Sequence, residues 1–192
     1  MPTTEVRPNQ RDHILDTALR LMSAHGAVGM SMRQLAAACD LQVAAIYHYF
    51  ESKDALLAAV VAERQYGSRM TDPLPVDPAA SDAERLRQLF HFVFEGALEE
   101  QSIWRLLLGE GMRGEPTVVP VGRALLELLE PAARLWIDQV LPDVARPEAV
   151  AHLLVGQLLS GFVRHVFVPE LDPAVIAEES ADTLVAVILG QP

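Results

Sequence analysis

The chain is 192 residues long, 51% apolar and 21% charged, enough for a sizeable core and outside the apolar-poor, highly charged class of disordered chains. A single cysteine, Cys39, excludes an internal disulfide and a multi-cysteine metal cage and suits a reducing cytoplasm. Fifteen Lys and Arg against 26 Asp and Glu give a net charge of −11, which in bulk disfavours nucleic acid because phosphate neutralisation dominates that affinity.

The charge is unevenly spread. Residues 1–53 carry Arg7, Arg11, Arg20, Arg33 and Lys53 against Glu5, Asp12, Asp16, Asp40 and Glu51, a balance of zero, so the whole of the −11 lies in residues 54–192. A neutral segment on an acidic body can touch a polyanion at close range while the body discourages loose wrapping. Met1 to Asp12 lacks the apolar core of a signal peptide, and no run of 18 apolar residues occurs without a polar break. A soluble cytoplasmic protein with no membrane partner is therefore expected.

In chain order, Ile14, Leu15, Ala18, Leu21, Met22 and His25 recur at helical spacing and Gly26 supplies a stop. Ser31 is placed to cap a second, short helix by accepting from the amide of Arg33 or Gln34, and that helix ends near Cys39. Asp40 and Leu41 make a turn before a third helix, Val43 to Phe50, in which Ile46, Tyr47 and Phe50 are available to pack inward. Two short helices joined by a tight turn after a longer one form a helix-turn-helix.

Beyond Lys53 one helix is expected to run toward Met70 through Leu56, Leu57, Val60 and Val61, and the proline-rich stretch Asp72 to Ala80 is the clearest linker. Further helices are predicted over Asp82 to Glu99, Ser102 to Gly111, Thr117 to Val140, Pro147 to Val168 and Pro173 to Leu189. No sustained apolar–polar alternation argues for strands, so the fold class is all-α.

The segment from Ser31 to Leu57, with Leu35-Ala36, the run Ile46-Tyr47-His48-Tyr49-Phe50, and Lys53 before Leu56-Leu57, resembles the DNA-binding domain of TetR-type transcriptional regulators. The resemblance covers roughly the first 60 residues. It implies a helix-turn-helix DNA-binding domain over 1–53 and a helical effector-binding and dimerisation domain over 54–192. Asp40 stands where the family usually has Gly, and Asp tolerates the left-handed conformation such a position needs better than most residues. Val43, followed by Ala44 and Ala45, stands where the family often has a polar residue. Base reading is therefore thin: Gln42 can reach a purine edge, and Val43 and Ala45 can touch thymine methyls.

By carry-over, Arg33, Tyr47, His48 and Lys53 are the expected phosphate or groove-edge contacts, with Arg7 and Arg11 as an arm. Tyr47 has a competing reading as a core aromatic. His48 has no second ligand at metal spacing, and Cys39 reads as a small buried hydrophobe in competition with a redox sensor.

Two more features lie in the acidic body. The apolar residues of Val150 to Phe167 spread round most of that helix, and Gly156, Ser160 and Gly161 form a strip that a neighbouring helix can approach closely. With Leu184, Val185 and Ile188 of the last helix they resemble the family's two-helix dimerisation face; coverage within one protomer is the alternative. Phe90, Phe94, Trp104, Leu108, Met112, Trp136 and Phe162 read one at a time as core. The resemblance turns them into lining for an apolar or amphipathic small-molecule effector, oriented by His91, Gln157, Arg164 or His165.

The leading function is a homodimeric, ligand-responsive regulator binding operator DNA, foremost a repressor released by that effector. No catalytic set, metal or cofactor is expected: the six histidines form no HxxxH or ExxH pair. A helical-bundle enzyme lacks such a set, and a dimeric adaptor without DNA binding leaves Tyr47 to Lys53 unexplained.

Overall fold

The computed structural model describes residues 9–64 and 72–190, and among these there are nine α-helices and no strand. They are α1 (Gln10–Gly29), α2 (Met32–Ala38), α3 (Val43–Tyr49), α4 (Lys53–Glu63), α5 (Asp82–Glu99), α6 (Gln101–Met112), α7 (Val119–Val140), α8 (Pro147–Phe167) and α9 (Pro173–Leu189). The all-α expectation holds. The chain divides into two compact units that do not follow a cut after residue 53. The first holds α1 to α4, α6 and the start of α7, and the second holds α5, the rest of α7, α8 and α9.

Short-range chemistry fixes most helix starts in both units. Ser31 accepts from the Gln34 amide at 3.2 Å while the Gln34 carboxamide accepts from the Ser31 amide at 2.8 Å, a reciprocal capping box at α2. Ser52 caps α4 through the Ala55 amide, Ser81 caps α5 through the Glu84 amide, and Asp172 caps α9 just before Pro173. Between α2 and α3, Asp40 takes φ 55°, the left-handed conformation expected of it.

In the first unit α1 packs against α6, α4 and α2, and α2 packs against α3. Ile14, Leu15, Ala18 and Met22 of α1 meet an interior that includes Leu35 of α2, Ile46 of α3, Leu56 and Val60 of α4 and Ile103 of α6, all essentially buried. Gly26 breaks α1 with φ 75° and ψ 156°, and one further turn ends at Gly29. The fourth helix stops at Glu63, with Arg64 extended, rather than continuing toward Met70. Arg64 is drawn to α1, where it pairs with Asp12 at 3.2 Å and Asp16 at 3.1 Å. The rest of that expected helix lies outside the described residues.

In the second unit α9 packs on α5 and α8, and α7 joins their apolar core. Three acids of α9 are each met by a side chain of α5 or α8: Asp182 by the Arg87 guanidinium at 2.8 Å, Glu179 by the Arg164 guanidinium at 2.8 Å, and Glu178 by the imidazole of His91 at 3.1 Å. His91 and Arg164, expected to orient an effector, are engaged here instead. The proline-rich segment is docked rather than free. Leu74 and Val76 pack against the core, and the Asp77 amide donates to the Gln88 carboxamide at 2.9 Å.

Candidate functional site

The seven residues of α3 are held from below by Ile46, which is fully buried, and by Phe50 just past the helix end. That anchorage turns the opposite face outward. Ala44, Tyr47 and His48, three and four residues apart, are exposed together with Gln42 before the helix, and Tyr47 retains 49% of its accessible surface. The core reading of Tyr47 is therefore displaced. Val43 and Ala45 are half-buried while Ala44 is open, so the apolar contact surface of this helix centres one position away from the residues singled out by sequence. His48 and Tyr49 meet edge to face at 5.5 Å, and the Tyr49 hydroxyl donates to the Gln10 carboxamide at 3.3 Å, tying α3 to the start of α1.

The cations expected on this surface divide. Arg33 is exposed on α2. Lys53 is half-buried, and its ammonium donates at 2.9 Å to the carbonyls of both Val28 and Met30, so two of its three N–H groups are engaged within the protein. Arg11 is no mobile arm: it lies in α1, forms a forked pair with Glu63, and stands 5.2 Å from the centre of the Phe50 ring. Arg7 lies outside the described residues. Asp12 and Asp16, two of the five acids that neutralise residues 1–53, are bound to Arg64 from beyond that segment, while Glu63 occupies Arg11, one of its cations. Sequence spacing does not reveal these pairs, because their members lie 48 to 52 positions apart.

The profile of the "Bacterial regulatory proteins, tetR family" matches residues 14–60, the span that carries this helix-turn-helix. The helix-turn-helix of residues 14–60 is that of the TetR family. Along more of its length the chain is 26% identical over 171 residues to the HTH-type transcriptional regulator BetI of Agrobacterium fabrum, covering 86% of this chain and 81% of the relative. A TetR-like transcriptional regulator from Rhodococcus sp. RHA1 superposes over 100% of both chains with a TM-score of 0.69 at 24% identity. The structure of AibR in complex with isovaleryl coenzyme A and operator DNA superposes with a TM-score of 0.59 at 24% identity, covering 94% of this chain and 98% of that one. These two likenesses concern the fold. The relatives are regulators of transcription, and this chain, with its TetR-type helix-turn-helix, is one too.

Within the family fold, the residues singled out for an effector separate. Phe90, Phe94, Trp136 and Phe162 are buried in the second unit, where the rings of Phe90 and Phe94 stack at 5.6 Å. Trp104, Leu108 and Met112 lie on α6 in the first unit. Met112, the last residue of α6, is 85% exposed and lines no interior. Trp104 is half-buried, and its indole N–H is shielded from solvent without an acceptor.

The residues singled out for a dimer face separate as well. Gly156 and Ser160 are exposed on α8 beside the exposed apolar side chains Leu153, Leu159, Val163 and Phe167, and Ile188 of α9 is half-buried next to the exposed Val187. Gly161, Leu184 and Val185 instead face the protomer's own interior. Leu184 and Val185 belong to its core, and a Cβ on Gly161 would stand 3.0 Å from the ring of Phe94. α8 is long and apolar enough to cross a membrane by length and composition, and 33% of its most apolar window is buried.

Proposed function

We propose that this chain acts in the cytoplasm as a homodimeric repressor that binds operator DNA and is released by an apolar or amphipathic small molecule. The observation that carries the reading is the outward face of α3, with Gln42, Ala44, Tyr47 and His48 exposed on a helix clamped from below by Ile46 and Phe50. A helix so held is stiff enough to enter a major groove, where Gln42 reads a base edge and Ala44 meets a thymine methyl. Arg33 adds a phosphate contact, and Val43 and Ala45 support the helix from its flank.

The homodimer reading rests on the exposed stripe Leu153, Gly156, Ser160, Val163 and Phe167 of α8. An apolar stripe of this length calls for cover, and Gly156 and Ser160 let a second copy of the helix approach closely. A dimer also places two α3 helices on successive half-sites. The effector reading rests on the aromatic interior of the second unit, where Phe90, Phe94, Trp136 and Phe162 lie buried.

Selection of duplexes by the purified chain from a randomised library tests the reading, with sedimentation of the free protein and of its complex alongside. A palindromic duplex bound by a dimer is the expected result. Failure to enrich any duplex would overturn it.

A further inference from the structure

Glu110 of α6 is a charged group in the interior of the first unit, 2% exposed. Its carboxylate accepts the backbone N–H of Ala27 at 2.6 Å and a guanidinium N–H of Arg113 at 3.0 Å. Ala27 follows Gly26, where α1 breaks. A break leaves the first amides of the next turn without intrahelical partners, and Ala27 is buried, so water cannot serve it. Glu110 therefore caps that turn from a helix 83 positions away.

The same turn is held on its other side. The Met30 amide closes it by donating to the Gly26 carbonyl at 3.2 Å. Its outward carbonyls, Val28 and Met30, both accept from the ammonium of Lys53 at 2.9 Å. Lys53 is the first residue of α4, three positions after Phe50 ends α3. A continuous set of hydrogen bonds thus runs from the α6 carboxylate through the 26–30 turn to the junction of α3 and α4.

We propose that Glu110 is a positioning residue for DNA binding, and that Lys53 is a strut between the 26–30 turn and the α3–α4 junction rather than a phosphate contact. The inference rests on the reading of the chain as an operator-binding regulator. Glu110 supplies what this role needs: a carboxylate that accepts two bonds at once, with Arg113 offsetting its charge at the 61% exposed edge of the site. Loss of the acceptor strands the Ala27 N–H, and the turn loosens. Loss of the Lys53 ammonium strands the part-buried carbonyl of Met30 and releases that of the exposed Val28 to water, so the turn loses its tie to α4.

The test uses the full chain, the duplex selected by the wild-type protein, and the variants Glu110→Gln, Glu110→Ala, Lys53→Met and the double variant Glu110→Ala/Lys53→Met. Salt titration of binding is combined with hydrogen exchange of the Met30 amide in the free protein, because that amide contacts neither Glu110 nor Lys53 directly. A stranded buried group is expected to speed Met30 exchange and weaken duplex binding by about tenfold in Glu110→Ala, while Glu110→Gln, which keeps an acceptor oxygen, retains most of both. Lys53→Met is expected to speed Met30 exchange with the salt slope unchanged, and the double variant to be little worse than the stronger single one, since both act on one turn.

Lys53→Met with intact Met30 protection and a salt slope lower by about one unit, the mark of a lost phosphate contact, overturns the strut. Wild-type Met30 protection and binding in Glu110→Ala overturn the positioning role. Should Glu110→Ala fail to fold, Glu110→Asp, one methylene short of Ala27, takes its place in both measurements. If the wild-type chain selects no duplex, the operator-binding reading fails by itself, and Met30 exchange in the variants still decides whether the turn is held as described.

Discussion

Gly161 of α8 faces the ring of Phe94 of α5 so closely that a Cβ at position 161 would stand 3.0 Å from the ring edge and 3.4 Å from Ile176. Phe94 cannot retreat, because it is buried and stacked on Phe90. Five positions earlier in the same helix, a Cβ on Gly156 would meet nothing within 4 Å.

The same substitution at the two glycines therefore has opposite meanings. Both gain the same helix propensity, so the difference isolates their surroundings. Gly161→Leu overpacks the core and is expected to destabilise the protomer by about 3 kcal/mol, lowering the melting temperature by roughly 6 to 12 °C. Gly156→Leu leaves the protomer's melting nearly unchanged but blocks helix approach, giving monomers with weak duplex binding. Thermal unfolding and sedimentation separate the two. A Gly156→Leu protein that sediments as an unchanged dimer removes α8 from the interface.

Arg33 is the exposed cation of the α2–α3 pair, and its replacement reads out phosphate contact without disturbing packing. Arg33→Ala is expected to weaken binding to all duplexes alike and to lower the salt slope by about one unit. Affinity and slope equal to wild type would take Arg33 out of the interface.

The pair between Arg11 and Glu63 gives a pH dependence of known sign. The hydrogen bond from Arg11 holds the Glu63 carboxyl below its ordinary value of 4.5, so the folded state binds the proton less readily than the unfolded one. The pair's contribution is then full above about pH 4.5 and disappears as the pH falls through the lower folded value. Because both side chains are more than a third exposed, it amounts to no more than about 1 kcal/mol. Unfolding midpoints of wild type and Glu63→Gln should differ at pH 7 and converge in acid. A gap that widens in acid contradicts the pairing.

Burial pushes the Cys39 thiol up from its ordinary value, outweighing the opposite pulls of a hydrogen bond with Thr17 and the charge of Arg20. With little thiolate at neutral pH, Cys39 should react with a soluble disulfide reagent far more slowly in the folded protein than in denaturant. Rapid labelling of the native chain would instead favour the redox-sensor reading.

Sequence by itself determined what interactions within about four residues control. Ser31 with Gln34, Ser52, Ser81 and Pro173 mark helix starts, Gly26 marks the break in α1, and Asp40 marks the left-handed turn before α3, each through a hydrogen bond or backbone preference that needs no distant partner. Apolar periodicity likewise predicts that α1, α5 and α8 are helices. It cannot say which side of α8 and α9 is inside, because apolar residues lie nearly all round them. Packing against Phe94 and Ile176 decided that Gly161 turns inward and Gly156 outward, and core formation took Leu184 and Val185. Nor can a charged side chain announce its partner across the chain. That Lys53 turns its ammonium to Val28 and Met30, and that Glu110 reaches the amide of Ala27, follow only when α4 and α6 meet α1, because burial there leaves each polar group no partner except the one the packing brings to it.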